Sequence, residues 1–287
     1  MEKIKLTMVI DDYPYTLPIK DGRITSDSTE LEFISYSPIT KSFPHMIERQ
    51  AFDVCEMALV TFLQALDIGS PIRLLPVVTG AEFHHGSLWY DPANGTLQPG
   101  DLKGRRIGVR AYTQTTGMWV RGVLEHQYGV KSEEVTWITT EGAHVAQYVN
   151  PSNVEIVSGD TDLAGLVRSG DLSAVIMGSK QSGGLGLQRV IPDTDKAAGQ
   201  WYEENRAVPI NHMVVVTNDL LEKNPAVVQD VYNLLTQGCD IAPDTRVPPG
   251  ICYGRDKVMN AVNLAIQYSL EQKLISREFT MDEIFAF

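Results

Sequence analysis

Apolar residues along this chain recur with two alternating periods, one typical of strands and the other of helices. Short apolar runs of about four to eight residues predict buried strands, and apolar side chains at every third or fourth position predict helices. Strands are predicted at residues 5–10, 31–35, 52–55, 72–78, 106–109, 135–138, 172–177, 187–191 and 209–217. Helices are predicted at 40–50, after 56, and at 115–128, 161–168, 225–235 and 255–274. This alternation favours an α/β fold with mainly parallel sheets.

The most informative segment is DLKGRRIGVRAYTQTTGMWV, residues 101–120. It is predicted to contain a loop, a short strand, a polar turn and a helix that opens at Thr115 and Thr116. Backbone N–H groups at such a helix start point outward and suit a carboxylate. This layout is that of the second lobe of a two-lobed, binding-protein-like α/β fold, so we expect a small anion in a cleft between lobes.

Two segments predict where the chain crosses between lobes. The run DPANGTLQPG, residues 91–100, is dense in turn-forming residues. The strand MVVVT follows a polar segment and is expected to return to the first lobe. We therefore predict that residues 1–88 and 213–287 form one lobe and residues 89–212 the other, with two hinge crossings.

Charge and cysteine content exclude several functional classes. The chain has 36 acidic and 24 basic residues, a net charge of −12, and no dense basic run. Nucleic acid and anionic membranes are therefore unsuitable partners, although a few local cations can still bind an anionic ligand. No signal-peptide pattern or membrane span is present, so we expect a cytoplasmic protein. The cysteines at 55, 239 and 252 lack paired spacing, which predicts buried thiols rather than a disulfide or zinc site.

Three segments together resemble 4,5-dihydroxyphthalate decarboxylase and its relatives. They are FDVCEMALVTFLQAL (52–66), PVVTGAEFHHGSLWY (76–90) and DLKGRRIGVRAYTQTTGMWVRGVLEHQYGV (101–130). The similarity continues in the same order through SGDLSAVIMG and PINHMVVV. The resemblance implies the fold of type II periplasmic solute-binding proteins and the activity of a cytoplasmic carboxy-lyase in aromatic catabolism, without a cofactor.

The chain departs from the family pattern at two places. The family usually has Arg-His-Ser where this chain has His84-His85-Gly86, and Pro-Glu-Tyr where it has Arg110-Ala111-Tyr112. A cation moved from one strand end to another suggests the same fold with a different carboxylated substrate.

Decarboxylation of an aromatic ring without a cofactor needs an acid that protonates the ring carbon and a cation that holds the carboxylate. Histidine suits the first task because its pKa lies near neutrality. The catalytic candidates are His84, His85, His212 and Glu56. Each has an alternative structural explanation: the histidines could be hydrogen-bonded hinge residues, and Glu56 could stabilise a helix start.

The substrate-binding candidates lie near predicted strand ends, where α/β proteins bind ligands. They are Asp11, Arg110, Tyr112, Thr115, Thr116, Ser179 and Lys180. Arginine matches a carboxylate in two-point fashion, and either threonine could also serve as a helix cap. Arg121, within the following helix, is predicted to form a salt bridge at the surface or between lobes.

A metal site and three functional classes remain open at this point. Adjacent His84 and His85 with His212 and a carboxylate could bind a divalent ion, but no HxH or HxxxH pattern supports one, and no metal is assigned. The expected function is decarboxylation of a hydroxylated, phthalate-like carboxylate. The alternatives are a solute-binding protein for an aromatic or dicarboxylic acid, and a lyase of the chorismate dehydratase or dihydroxynaphthoate synthase type. A homo-oligomer is compatible with all three.

Overall fold

The computed structural model describes residues 2–178, 184–242 and 252–287. The chain divides into two compact units. Unit 1 comprises residues 1–82, 210–263 and 277–287, and unit 2 comprises residues 83–209 and 264–276. The division differs from the prediction in two respects. The turn-rich run 91–100 lies wholly inside unit 2, and residues 264–276 belong to unit 2 although they follow the return of the chain to unit 1.

Unit 1 is built on a five-stranded sheet whose middle contains a late strand of the chain. Its strands are β1 (Ile4–Val9), β2 (Thr29–Phe33), β3 (Val54–Ala58), β4 (Ile72–Ala81) and β11 (Ile210–Thr217), in the order β2-β1-β3-β11-β4. β2, β1 and β3 run parallel, whereas β11 is antiparallel to both β3 and β4. The predicted return of the 209–217 strand to the first lobe agrees with this pairing.

The helices of unit 1 cover this sheet with apolar side chains. They are α1 (Leu17–Lys20), α2 (Phe43–Arg49), α3 (Leu59–Asp67), α7 (Asn218–Lys223), α8 (Pro225–Ile241) and α10 (Met281–Ile284), together with the first part of α9 (Arg255–Glu271). Val228 and Val231 of α8 are buried against Val54 and Val214 of the sheet. Pro225 occupies the first turn of α8, and Thr280 and Glu283 form the predicted capping box of α10.

One local prediction in unit 1 is wrong. Glu56 was expected at a helix start, but it lies in the middle of β3, and α3 begins only at Leu59. All five residues of β3 are buried because the strand lies between β1 and β11, inside the sheet. Glu56 therefore places a carboxylate in the interior of unit 1, and it does not stabilise the start of a helix as predicted.

Unit 2 contains a six-stranded sheet with a parallel centre. Its strands are β5 (Leu88–Tyr90), β6 (Arg106–Val109), β7 (Thr136–Thr139), β8 (Val154–Ile156), β9 (Ala174–Ile176) and β10 (Gln188–Arg189), in the order β10-β5-β9-β6-β7-β8. β9, β6, β7 and β8 are parallel, while β5 and β10 are antiparallel. The helices are α4 (Thr115–Tyr128), α5 (Leu163–Ser169) and α6 (Thr194–Asn205).

Aromatic packing explains why the end of α9 belongs to unit 2. Tyr268 of α9 packs edge-to-face on Trp119 of α4, with ring centroids 5.7 Å apart. Gly122 makes this approach possible, since a Cβ at that position would lie 2.1 Å from the Tyr268 ring. Helical periodicity identifies the buried face of α9 but not the partner that covers it.

The cysteines correct a second prediction. Cys55 is a buried free thiol as expected, but Cys239 and Cys252 form a disulfide. The pair was missed because the two cysteines lie thirteen positions apart in the sequence, a spacing that matches no common motif. None of the described helices is both long and apolar enough to span a bilayer.

Candidate functional site

Glu56 is the most unusual side chain in unit 1, since it is a fully buried carboxylate on the central strand β3. Three donors surround it. His212 Nδ1 and the Tyr13 hydroxyl each donate to Oε1 at 2.7 Å, and the Asp11 backbone N–H donates to Oε2 at 3.1 Å. Buried carboxylates are stable only when they are hydrogen-bonded or paired. This carboxylate therefore has the partners that burial requires.

The sheet register brings His212 to Glu56. Glu56 pairs with Val214 and Ala58 with His212 across the antiparallel β3–β11 ladder. His212 is thus two residues from the direct partner of Glu56 and projects from the same face of the sheet. On its other side, β11 pairs irregularly with β4 around residues 210–214. Such bulges redirect side chains and occur often beside active sites.

The hydrogen bonds around Glu56 determine where the protons lie on Glu56, Tyr13 and His212. Burial acts to raise the pKa of Glu56, but the hydrogen bond and positive charge of His212, together with the Asp11 and Tyr13 hydrogen bonds, outweigh it and lower that pKa. Burial and the adjacent Glu56 charge raise the pKa of Tyr13. Glu56 is therefore a carboxylate that only accepts, so His212 Nδ1 carries a hydrogen and Nε2 is the nitrogen left to exchange a proton.

His212 combines this orientation with access to solvent. Its side chain is 25% exposed, whereas Glu56 is completely buried. The ring edge packs against Phe43, with centroids 5.8 Å apart. A partly exposed histidine held by a buried carboxylate is the arrangement found in general acid–base catalysis.

Tyr13 was not predicted as a site residue. It follows the acidic pair at the end of β1 and stacks on Tyr15 at a centroid distance of 5.0 Å. Both tyrosines pack with the Cys239–Cys252 disulfide in one apolar cluster. No periodic pattern or motif marks Tyr13 in the sequence, because its role depends on a carboxylate that lies 43 positions away.

His84 and His85 lie at the start of unit 2, and each is only 1% exposed. The Gln127 amide N–H donates to Ala197 O at 3.2 Å, so its Oε1 faces His85 and accepts from Nε2 at 2.8 Å. Burial lowers the pKa of His85. The His84 Nδ1 atom lies 3.5 Å from the Ser87 hydroxyl. A buried neutral imidazole already donating to an amide is less suited to protonate a substrate than His212.

Three further residues were predicted to bind substrate, namely Asp11, Ser179 and Lys180. Asp11 contributes its backbone N–H to Glu56, while its own carboxylate accepts the N–H of Asp12 at 2.9 Å. Its side chain is exposed. Ser179 and Lys180 lie outside the described residues.

Arg110 lies at the carboxyl end of β6, as predicted. Its carbonyl accepts the N–H groups of Thr140 and Glu141 beyond β7, and its half-exposed guanidinium lies 3.8 Å from the Glu141 carboxylate. α4 begins at Thr115, which is buried, and Thr116 is partly exposed. Neither threonine is the cap, since Gln114 occupies that position.

Tyr112 is buried, unlike Arg110 and Thr116, which are partly exposed. It is 2% exposed, and its hydroxyl lies 2.9 Å from Ser132 Oγ and donates to Gln272 O at 3.0 Å. Its ring faces the Arg121 guanidinium, 4.0 Å from the ring centroid. Tyr112 therefore contributes to the interior of unit 2, and the residues at the surface of the predicted anion site are Arg110 and Thr116.

Metal binding finds no structural support in the described residues. Within residues 2–178, 184–242 and 252–287, no three His, Cys, Asp or Glu side chains are grouped closely enough to hold an ion. The ligand set considered from the sequence divides instead into a His212–Glu56 pair in unit 1 and two buried histidines in unit 2.

Two curated proteins named 4,5-dihydroxyphthalate decarboxylase are similar to this chain. The protein from Comamonas testosteroni is 29% identical over 244 residues, which cover 78% of this chain and 72% of that protein. The protein from Pseudomonas putida is also 29% identical, over 214 residues that cover 70% of this chain and 83% of that protein. No protein-family model matches the chain. The predicted resemblance is thus confirmed over most of the sequence.

Solved structures identify the fold. A putative sulfonate ABC transporter protein, the periplasmic sulfonate-binding protein SsuA from Methylobacillus flagellatus, superposes with a TM-score of 0.61. The match covers 99% of this chain and 91% of that chain at 10% sequence identity. Likeness at this identity concerns the fold alone. The chain has the type II periplasmic-binding-protein fold that the sequence predicted.

Proposed function

We propose that this protein is a carboxy-lyase that removes carbon dioxide from a hydroxylated, phthalate-like aromatic carboxylate. The observation that carries the proposal is the buried Glu56 carboxylate with His212 on one side and Tyr13 on the other. Similarity to two proteins named 4,5-dihydroxyphthalate decarboxylase supports the same reaction class. A solute-binding protein has no need for a buried, oriented acid–base pair.

In the proposed reaction, His212 is the general acid. Glu56 accepts the Nδ1 hydrogen and stabilises the imidazolium, so that Nε2–H donates its proton to the ring carbon that bears the carboxylate. The carbon–carbon bond to the carboxylate then breaks, its electron pair returns to the ring, and carbon dioxide leaves. His212 Nε2 then takes up a proton from the solvent. Tyr13 holds Glu56 in place and keeps it ionised.

The negative charge of the substrate requires a cationic binding group. Arg110 and the start of α4 at Thr116 remain the residues predicted to bind a carboxylate, and their position at the carboxyl ends of β6 and β7 is where α/β sheets bind ligands. The 4,5-dihydroxyphthalate of the relatives' name is one candidate substrate. The altered cation positions noted in the sequence favour testing related acids beside it.

Binding without catalysis is the second candidate, because the protein similar in structure is named as a sulfonate-binding protein. The test is incubation of the purified protein with hydroxylated phthalates and benzoates, followed by measurement of released carbon dioxide and of the decarboxylated phenol. Release from at least one acid supports the lyase. Tight binding of the same acids without any release would establish a solute-binding protein instead.

A further inference from the structure

Arg121 is a fully buried cation of unit 2 that no carboxylate of the described residues neutralises. It was predicted to form a salt bridge, but it is 1% exposed. Nε donates to Gln272 Oε1 and Nη2 to Tyr112 O, both at 2.7 Å. No acidic side chain of the described residues is among the charges that act on it. Within the same described residues, Nη1 has no hydrogen-bond partner.

The aromatic surroundings of Arg121 compensate only part of the cost of burial. The guanidinium carbon lies 4.0 Å from the ring centroid of Tyr112 and 5.3 Å from that of Trp137. Desolvated cation–π contacts are favourable, but they do not offset the larger cost of burying a charge without a counter-ion. Burial accordingly lowers the pKa of Arg121. A cation kept under these conditions favours any anion that can reach Nη1.

Nη1 is directed at the first turn of α4. A Cβ built on Gly117 would lie 3.1 Å from Nη1 and 3.3 Å from Val109 Cγ2, so glycine leaves the guanidinium uncrowded there. The first N–H groups of an α-helix have no acceptor within the helix, and the Gln114 side chain caps none of them. The 14-residue α4 thus adds its positive end to the charge of Arg121.

Tyr148 supplies a second independent donor. Its hydroxyl is buried and, among the described residues, has no hydrogen-bond partner. Burial raises its pKa, the charge of Tyr112 adds to this rise, and the charge of Arg121 opposes it. The hydroxyl therefore remains protonated within electrostatic range of the guanidinium. Tyr148 is carried by the irregular segment between β7 and β8.

We propose that Arg121 Nη1, the Tyr148 hydroxyl and the first turn of α4 bind one carboxylate of the aromatic substrate, which deepens the proposed function and rests on it. All three elements are donors, and a carboxylate offers only acceptors. The guanidinium is fixed by Gln272 and Tyr112, so little ordering is required on binding.

The experiment compares the parent protein with Tyr148→Phe and Arg121→Met, using calorimetric titration with phthalate, benzoate and catechol. We expect the parent to bind the two carboxylates and not uncharged catechol. Both variants should lose about tenfold to a hundredfold in phthalate affinity, the range for a hydrogen bond to a charged group. Tyr148→Phe removes a hydroxyl that has no partner among the described residues, so its thermal unfolding midpoint should equal or exceed that of the parent. Tyr128→Phe, at the far end of α4, is the matched control and should bind like the parent.

Three results would overturn the proposal. They are absence of carboxylate binding by the parent, unchanged phthalate affinity in Tyr148→Phe, and equal affinity losses in Tyr148→Phe and Tyr128→Phe. Arg121→Met leaves Gln272 Oε1 and Tyr112 O without their donor and could unfold the protein, so Tyr148→Phe alone decides the outcome in that case. Carbon dioxide release is measured on the same proteins with the hydroxylated phthalates and benzoates. Phthalate binding without release from any hydroxylated acid contradicts the lyase but not this site, and release with unchanged Tyr148→Phe affinity contradicts the site but not the lyase.

Discussion

Each unit buries a charged side chain, and the two charges are neutralised in opposite ways. In unit 1 the Glu56 carboxylate accepts from a histidine, a tyrosine and a backbone amide. In unit 2 the Arg121 cation contacts two aromatic faces and two neutral acceptors, and one of its nitrogens has no partner among the described residues. Both oxygens of the Glu56 carboxylate accept hydrogen bonds, whereas Nη1 of Arg121 has no acceptor among the described residues.

The difference separates two kinds of chemistry. A saturated carboxylate–histidine pair holds one proton at a defined atom, which is what proton transfer needs. An unsaturated buried cation instead favours an incoming anion. The comparison predicts that substitutions in unit 1 change turnover, whereas those in unit 2 change affinity.

The largest effect is expected for His212→Gln. Loss of a general acid costs about 10²–10⁴-fold in turnover, while the affinity for phthalate should remain that of the parent. Turnover and calorimetric affinity are measured on the same protein, with His84→Gln and His85→Gln as controls. If His84→Gln or His85→Gln has the large effect and His212→Gln stays within a few-fold of the parent, the acid lies in unit 2 and the comparison fails.

Breaking the disulfide should destabilise unit 1 by about 2–4 kcal/mol, the usual contribution of a bond that closes a short loop. The bond packs beside Tyr13 and Tyr15, so Cys239→Ser with Cys252→Ser should also reduce turnover. Denaturant unfolding measures the first effect. If the thiol–disulfide state is trapped at cell lysis and the protein is then denatured, a thiol reagent should label only Cys55. Three labelled thiols would mean that the bond is absent in the cell, the usual state of thiols in a reducing compartment.

Arg110→Ala tests the exposed cation of unit 2 against the buried one. Removing a charged hydrogen bond should weaken phthalate binding by about 1.5–3 kcal/mol. The ion pair of Arg110 with Glu141 is half-exposed, so the variant should fold as stably as the parent. Calorimetry and thermal unfolding give both quantities. Unchanged affinity removes Arg110 from the site and leaves carboxylate binding to Arg121.

The smallest effect is a pH dependence of stability. The pKa of Glu56 is lowered in the folded state, so its contribution is fully present above the ordinary carboxyl pKa of about 4.3 and is lost as the pH falls through the lowered value. The unfolding free energy of the parent should therefore fall in acid more steeply than that of Glu56→Gln. Urea unfolding at several pH values measures the difference. Parallel curves would show that Glu56 does not hold a lowered pKa.

Much of the fold could be predicted from local patterns. The segment 106–128 was predicted with the observed strand and helix bounds, because its strand is apolar after Arg106 and its helix begins directly after a polar turn. β5 and β8 were missed, since each has three residues and too little periodicity to register. α6 was also missed because few of its residues are apolar, although Trp201 anchors it.

The candidate site was harder to predict, for a reason that applies to both buried charges. Glu56 was singled out, but with the wrong environment, because an acidic residue before an apolar helix resembles a helix start. The neighbouring Val54, Cys55 and Met57 could have indicated a charge inside a buried strand. Arg121 and Tyr148 were assigned no binding role, since partners distant in the sequence determine whether a polar group is satisfied.

The place of β11 between β3 and β4 has a consequence for the order in which the protein can fold during its synthesis. The ribosome completes residues 83–209 before Ile210–Thr217 emerges, which takes on the order of ten seconds at usual elongation rates. Until then β3 and β4 have no strand between them, and both expose an unpaired apolar edge of the kind that promotes aggregation. Unit 1 therefore depends on protection of its first half while unit 2 is being made, and slow or truncated translation should yield insoluble protein.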